Sequence, residues 1–186
     1  GIANKYPAIQ GIPELKEAGS EFIRAFIDID VPARCIVPTV GSMQGSFTLQ
    51  LLLSQRLKEK DTILFLNPGF PANLSQAKVL GINTEEFDIY EYRGEKLEAK
   101  LESVLSKGNV TALMYSNPNN PAWTNFTEKE LEIIGRLATK YDCIVLEDMA
   151  YFGMDFRTDI SVPFQAPYAS TVARYTDNYI LLLSAS

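Results

Sequence analysis

The sequence contains no histidine among its 186 residues, which excludes a Ser-His-Asp catalytic triad and most zinc chemistry. Cysteine is also scarce. Cys35 and Cys143 each lie in an apolar run, a pattern typical of reduced core thiols rather than of a disulfide framework or a metal site. We therefore predict that the protein has no metal site and is cytoplasmic.

Long apolar runs and clusters of positive charge are missing as well. No stretch reaches the roughly 18 apolar residues of a membrane span, and residues 1–6 lack the basic and apolar regions of a secretory leader. The net charge is -6, and the Lys and Arg residues are scattered rather than grouped on one segment. We expect a soluble protein that binds neither membranes nor nucleic acid.

The residues that are present indicate one domain of the α/β class. With 46% apolar and 22% charged residues, the chain is long enough to bury a substantial core. Short β-rich runs alternate with helical segments, which favours parallel strands joined by crossover helices in three α/β/α layers. The predicted strands are Cys35 to Val40, Thr62 to Leu66, Glu86 to Tyr90, Val110 to Tyr115, Cys143 to Glu147 and Tyr179 to Leu183.

Five helices are predicted between and before these strands. Ile12 to Ile27 has apolar residues at helical spacing, and its proline falls in the first turn, where proline is tolerated. The last helix has a capping box, with Thr127 as N-cap and Glu130 three residues later. That last helix runs from Glu128 to Tyr141, and the other three are expected from the Gly41 turn to about Leu57, near Ala72 to Leu80 and near Lys96 to Leu105.

In a parallel sheet, ligands bind where strands end, so functional residues are expected at those junctions. Gly41, Ser42 and Met43 precede a helix, whose free backbone N–H groups favour an anion such as phosphate. Ordinary helix capping is the alternative there. Phe70 follows a strand in an Asn-Pro-Gly-Phe-Pro turn and offers a ring that either stacks on a planar cofactor or joins the core.

Two later junctions carry polar side chains. Asn120 lies between two prolines that fix its backbone, so its amide is either aimed at a ligand or part of a plain proline-rich turn. Asp148 directly follows the apolar strand Cys143 to Glu147. A carboxylate at such a shielded position needs a cationic partner to remain ionised, and a protonated pyridine nitrogen is one candidate.

The order and spacing of these junctions resemble those of the class I/II aminotransferases, which are fold-type I enzymes that use pyridoxal 5'-phosphate. The resemblance implies that Gly41, Ser42 and Met43 bind the cofactor phosphate, that Phe70 stacks on the pyridine ring and that Asn120 bonds its 3-oxygen. It further implies that Asp148 pairs with the ring nitrogen and that Tyr151 contacts the 3-oxygen, so that these two residues are the catalytic candidates.

The two ends of the chain extend the resemblance. Tyr6, in a Tyr-Pro segment, matches the tyrosine that in this family reaches the phosphate of the neighbouring subunit, which implies a homodimer. Ser184-Ala185-Ser186 is similar to the family's Ser-x-Ser-Lys signature, so that Ser184 would contact phosphate and the Schiff-base lysine would follow Ser186. Residues 1–186 would then form part of the large cofactor-binding domain, with the small domain outside this sequence.

The implied reaction moves an amino group between an amino acid and a 2-oxo acid. The chain departs from the family pattern at Met43, where Ser or Thr is common, and at Ala122-Trp123, where Thr-Gly is usual. Other enzymes of the same fold, such as Cβ-S lyases, decarboxylases and cyclopropane-forming synthases, share these cofactor contacts. A non-catalytic regulatory domain that binds the cofactor and a purely structural α/β domain are further alternatives.

Overall fold

The computed structural model describes residues 6–184, and Gly1 to Lys5, Ala185 and Ser186 lie outside the described part. Its centre is a five-stranded sheet in the order β2-β1-β3-β4-β5, and every neighbouring pair is parallel. Most of the side chains of β1, β3 and β4 are buried, as expected of a parallel sheet that is covered on both faces. The strands are β1 Thr62–Asn67, β2 Asn83–Asp88, β3 Val110–Ser116, β4 Ile144–Met149 and β5 Tyr179–Leu183.

Helices cover both faces of this sheet, which confirms the predicted three-layer α/β/α class. Within residues 6–184 the α-helices are α1 Pro13–Ile27, α2 Gly41–Ser54, α3 Pro71–Leu80, α4 Glu95–Leu105 and α5 Glu128–Lys140. The apolar faces of α4 and α5 share a core cluster with Leu113 and Val145 of the sheet. On the opposite face, Leu53 of α2 and Ala77 of α3 pack in a second cluster with Met114 and Leu146.

The predicted last helix is confirmed, including its capping box. The Thr127 hydroxyl accepts a hydrogen bond from the Glu130 N–H at 3.2 Å, and the Glu130 carboxylate accepts one from the Thr127 N–H at 2.9 Å. The predicted positions of β1, β3, β4 and β5 agree with the structure to within about two residues at their ends. Local patterns of hydrophobicity therefore identified these four strands correctly.

The strand predicted from Cys35 to Val40 is wrong. Ala33–Cys35 forms a short 3-10 helix, and the residues from Ile36 to Val40 pair with no strand in the described chain. Pro38 has no N–H to donate to a ladder, and β-branched residues at these positions face solvent, with Val40 85% exposed. Cys35 is likewise exposed, so the prediction of a core thiol holds for Cys143 alone.

Two boundaries also move. The second strand of the sheet runs over Asn83–Asp88 rather than over residues 86–90, and a short 3-10 helix at Ile89–Tyr92 follows it. This strand lies at the sheet edge and carries several exposed polar residues, so its hydrophobic signal is weak. The helix expected to reach Leu57 ends at Ser54. No helix among residues 6–184 is long and apolar enough to cross a lipid bilayer.

Because all five strands are parallel, their carboxyl ends lie at one edge of the sheet. From β1 the chain continues to β2 on one side and then crosses to β3 on the other side, so the strand order switches direction between β1 and β3. In α/β proteins, ligands bind at the carboxyl ends of the strands next to such a switch point. Helix α2 approaches the same edge closely. A Cβ atom placed on Gly45 would lie only 2.9 Å from Leu182 Cδ2, so the absence of a side chain there allows α2 to pack against β5.

Candidate functional site

Asp148 lies near the end of β4, on the face of the sheet that α2 and α3 cover. Its side chain is buried, with 7% exposed, and its Oδ1 accepts a hydrogen bond from the Ala150 N–H at 3.0 Å. Burial raises the pKa of Asp148, and the Ala150 N–H and the Asn73 side chain oppose that rise. Among residues 6–184 no Lys or Arg forms a salt bridge with this carboxylate. A ligand that brings a positive charge would satisfy it.

Asn120 and Tyr151, which were predicted to act together, are in contact. The Asn120 Nδ2 donates a hydrogen bond to the Tyr151 Oη at 3.0 Å, and the Asn120 N–H donates one to Ser116 Oγ at 3.1 Å. The first contact joins the loop after β3 to the loop after β4. The amide and the hydroxyl together can donate hydrogen bonds to one acceptor, such as a phenolate oxygen.

Gly41, Ser42 and Met43 form the first turn of α2. Gly41 has φ of +71°, a left-handed conformation that glycine adopts without strain. The N-cap residue, Val40, makes no side-chain capping hydrogen bond, and the first turn carries no acidic residue. The Gly41 N–H already donates to the Thr39 carbonyl at 3.0 Å, so the backbone N–H groups of Ser42 and Met43 are the ones suited to bind an anion.

This first turn is fixed to the neighbouring helix α3. The Gln76 amide donates to the Met43 carbonyl at 3.0 Å, and the Ser46 hydroxyl donates to Gln76 Oε1 at 2.8 Å. Gln50 continues the contact by donating to the Asn73 carbonyl at 3.1 Å. A polar seam thus connects the helix end that suits an anion to the residue beside Asp148.

Phe70 is the N-cap residue of α3, and its ring is 38% exposed rather than buried in the core. It lines a cleft of about 250 Å³ at the carboxyl end of β1 and β3, together with Asn73, Met114 and Ser116. Because the Phe70 ring is exposed beside a polar cleft, the alternative prediction that it belongs to the core is wrong. The prediction that it stacks on a cofactor stays a prediction.

The remaining predicted residues lie at the ends of the described chain. Ser184 directly follows β5, which pairs with β4, so it stands at the same edge as Asp148. The Tyr6 side chain is fully exposed. Ala185 and Ser186, which complete the proposed signature, lie outside the described residues.

Sequence reasoning missed three asparagines that organise this edge. Asn119, 2% exposed, donates to the Pro68 carbonyl at 2.9 Å and so ties the Phe70 turn to the Asn120 loop. Asn117 accepts from the Phe126 N–H at 3.2 Å, which closes the far side of that loop. Asn73 lies beside Asp148. The only signal in the sequence was the repetition of asparagine around proline at positions 117–121, because Asn73 looks like an ordinary helix residue.

Glu147, the neighbour of Asp148, is completely buried on the opposite face of β4. It accepts hydrogen bonds from Thr171 Oγ1 at 2.5 Å, from the Val172 N–H at 3.0 Å and from Asn117 Nδ2 at 3.0 Å. Burial raises the pKa of Glu147 to about 7, although these three hydrogen bonds oppose that rise. The carboxyl group joins the loop after β3 to the segment before β5.

The structure thus brings a buried acid, two neighbouring hydrogen-bond donors and a helix end without a side-chain cap to one edge of a parallel α/β sheet. A sequence model of a protein family, described as "Aminotransferase class I and II", matches residues 1–186. The chain belongs to that family.

Curated relatives agree with this assignment. An asparagine--oxo-acid transaminase from Streptococcus mutans is 31% identical over 157 residues, which cover 81% of this chain and 38% of the relative. Nicotianamine aminotransferase 1 from Oryza sativa is 27% identical over 164 residues, or 88% of this chain and 32% of that protein. The chain therefore spans roughly a third of the length of these relatives.

Solved structures show the same fold. An aspartate aminotransferase variant from Thermus thermophilus superposes with a TM-score of 0.79 at 22% identity, over 97% of this chain and 47% of the other. An Escherichia coli protein with a methionine aminotransferase function superposes with a TM-score of 0.80 at 15% identity, over 98% of this chain and 46% of the other. The predicted fold class, that of fold-type I aminotransferases, is confirmed.

Proposed function

We propose that residues 1–186 form part of the large domain of a pyridoxal 5'-phosphate-dependent aminotransferase that moves an amino group between an amino acid and a 2-oxo acid. The observation that carries the proposal is the buried Asp148, which has no cationic partner among residues 6–184. Family membership over the whole chain supports the same activity. In this proposal the small domain and the lysine after Ser186 belong to the rest of the protein.

The residues at the sheet edge fit this cofactor by the chemistry of their groups. Asp148 offers negative charge to a protonated pyridine nitrogen, and Asn120 and Tyr151 offer donors to the phenolic oxygen. The first turn of α2 offers N–H groups to the phosphate, with Ser42 and Ser184 as additional hydroxyl donors. Phe70 offers an open ring face for stacking.

Bound pyridoxal phosphate supplies an electron sink that draws electrons from the bond broken at the amino acid's α-carbon. Asp148 would hold a proton at the pyridine nitrogen, since a buried carboxylate gains most from a cation placed beside it. Asn120 and Tyr151 would hold the phenolic oxygen through their amide and hydroxyl groups. The uncapped end of α2 would hold the phosphate, and together these contacts would restrict the ring to one orientation.

We further propose that the protein is a cytoplasmic homodimer. Val40, Met43, Phe47 and Leu51 form an exposed apolar stripe along α2, which we call the α2 stripe. Exposed apolar stripes of this kind are typical of surfaces that another protein covers. The exposed Tyr6 fits a role in the neighbouring subunit, and both cysteines are free, as in a reducing compartment.

The direct test is Asp148→Asn in the full-length protein. The substitution keeps the shape and removes the charge, so we expect transamination to fall by at least about a hundredfold, the scale typical of losing one electrostatic group at a reacting centre. Asp88→Asn is the matched control because Asp88 also ends a strand of the same sheet, the edge strand β2, but is exposed. Rates are measured with amino acid and 2-oxoglutarate, and cofactor binding by visible absorption. Near-parental turnover by Asp148→Asn, or a parent that binds no cofactor, contradicts the proposal.

A further inference from the structure

Trp123 adopts a backbone conformation that its side chain disfavours. Its φ is +54°, in the left-handed region where residues other than glycine, asparagine and aspartate are rare. Such a conformation is kept only where the surrounding structure fixes it, and it is concentrated at functional sites. A bulky aromatic residue at this position therefore calls for an explanation.

The turn that carries Trp123 is closed by Asn119. The Trp123 N–H donates to the Asn119 carbonyl at 2.9 Å, and the Ala122 N–H donates to Asn119 Oδ1 at 3.0 Å. The Asn119 N–H in turn donates to the Thr124 carbonyl at 2.9 Å. These three hydrogen bonds of the buried Asn119 hold the turn in a conformation that would otherwise favour glycine at position 123. The position can therefore carry a large side chain.

The indole ring stands beside the residues that we propose hold the cofactor. It packs edge-on against Tyr151, with ring centroids 5.6 Å apart and planes 65° apart. The residue remains 62% exposed, so most of its apolar surface faces open space. The same Tyr151 accepts the hydrogen bond from Asn120. Trp123 is thus held at the mouth of the candidate site by contacts to two of its turns.

The surroundings of Trp123 in the sequence carry no charge. The segment from Asn119 to Phe126 contains only amide, hydroxyl, apolar and aromatic side chains. The turn itself carries neither a cation nor an anion, and Asp155, whose carboxylate accepts from Asn125 Nδ2 at 2.5 Å, is already paired with Arg157. What the turn offers is a flat apolar surface that is already fixed in place.

We propose that Trp123 is a specificity-determining residue that forms an apolar wall against the substrate side chain and favours amino acids with bulky apolar side chains. The inference rests on the proposed aminotransferase function. One missing apolar contact in a pocket typically changes discrimination by about tenfold or more, so the effect is measurable.

The first test compares kcat/KM for L-leucine and L-alanine in the full-length protein, with 2-oxoglutarate as acceptor. We expect Trp123→Gly to lower kcat/KM for leucine by about tenfold and to change that for alanine by less than about twofold. Trp123→Phe should restore most of the preference. An equal change for both amino acids, or no change for either, overturns the inference.

Phe164→Gly is the matched control. Phe164 also is an aromatic residue at positive φ, +61°, and is 51% exposed, but its N–H bonds to Ala25 and its ring lies beside Arg24 on α1. This control relieves the same backbone strain and removes an exposed ring elsewhere. We expect it to leave the leucine preference unchanged, and an equal loss of preference in Phe164→Gly would overturn the inference.

A binding experiment decides the inference without turnover. Trp123 is the only tryptophan among the 186 residues, and the difference in fluorescence between the parent and Trp123→Phe isolates its emission. We expect 4-methyl-2-oxopentanoate to change that emission in the cofactor-loaded protein at lower concentration than pyruvate does. Emission that responds to neither oxo acid, or equally to both, overturns the inference. If transamination fails while this difference remains, the proposed reaction is wrong and the apolar wall stands.

Discussion

Glu147 and Asp148 are successive residues of β4, so their carboxylates face opposite sides of the sheet and contact different layers of the fold. Asp148 faces the α2 and α3 layer beside Asn73, where the proposed cofactor would lie. Glu147 faces the other layer and is bonded by Thr171, Val172 and Asn117. We interpret Asp148 as the carboxylate that is available to bind a ligand. Glu147 is the carboxylate that holds the loops around the site in place.

The buried Glu147 should make stability depend on pH. Its pKa is about 7 in the folded protein against 4.5 for the ordinary side chain, so its contribution is fully present below pH 4.5 and is lost as the pH rises through 7. The loss is roughly 3–4 kcal/mol, since the folded and ordinary pKa values differ by about 2.5 and a difference of one corresponds to about 1.4 kcal/mol.

The measurement is urea unfolding at about pH 5 and about pH 8. We expect the parent to lose stability over this range and Glu147→Gln, which cannot ionise, to lose less. Glu95→Gln is the control because the side chain of Glu95 is 89% exposed, and it should follow the parent. If Glu147→Gln shows the parent's pH dependence, Glu147 is not the titrating group.

At the scale of the elements, the close contact between α5 and the segment before β5 depends on Gly135. A Cβ atom there would lie 2.6 Å from Tyr175 Cβ and 3.0 Å from the Tyr175 backbone carbonyl carbon and oxygen. Backbone atoms cannot move aside as a flexible side chain can. The helix therefore needs glycine in the middle of its buried face despite the low helix propensity of that residue.

Gly135→Ala should accordingly destabilise the protein by about 1–3 kcal/mol, the usual cost of overpacking. Gly19→Ala on α1 is the matched control, because its Cβ would meet only the Ile36 side chain, at 3.2 Å. We expect that variant to be neutral or slightly stabilised through its higher helix propensity. The midpoint of thermal unfolding compares the two, and equal midpoints would contradict the steric explanation.

The elements also show how far the sequence could predict the fold. The Thr127 and Glu130 capping box and the apolar strands β1, β3 and β4 were legible because local chemistry and the final structure agree. The segment from Cys35 to Val40 was misread because β-branched residues favour a strand only where a neighbouring strand is available. That neighbour is a property of the whole chain and has no local signal.

The candidate site was predictable to a similar degree. Asn120, Asp148 and Tyr151 stood out because each lies at or shortly after the carboxyl end of a strand, and the structure brings Asn120 Nδ2 to 3.0 Å from Tyr151 Oη. Asn73 and Asn119 were invisible because their roles depend on contacts with Asp148 and Pro68, which are distant in sequence. The roles of all these residues toward the cofactor stay predictions.

For the whole molecule, the proposed homodimer makes a prediction about the α2 stripe. Leu51→Asp should weaken self-association by about a hundredfold or more, because an unpaired charge buried in an apolar interface costs several kcal/mol. Val79→Asp, on the 81% exposed Val79 of α3, is the control and should leave association unchanged. Light scattering over a range of protein concentrations measures both, and circular dichroism verifies that each variant is folded. A monomeric parent, or a Leu51→Asp variant that dimerises like the parent, contradicts the proposal.

The bond from Asn119 to the Pro68 carbonyl has a consequence for how this protein can change. It connects the turn that carries Phe70 to the loop that carries Asn120, so a displacement of one of them also displaces the other. Natural variation or laboratory evolution should therefore alter the two loops jointly, and a grafted loop from a relative should work only when its companion is transplanted with it.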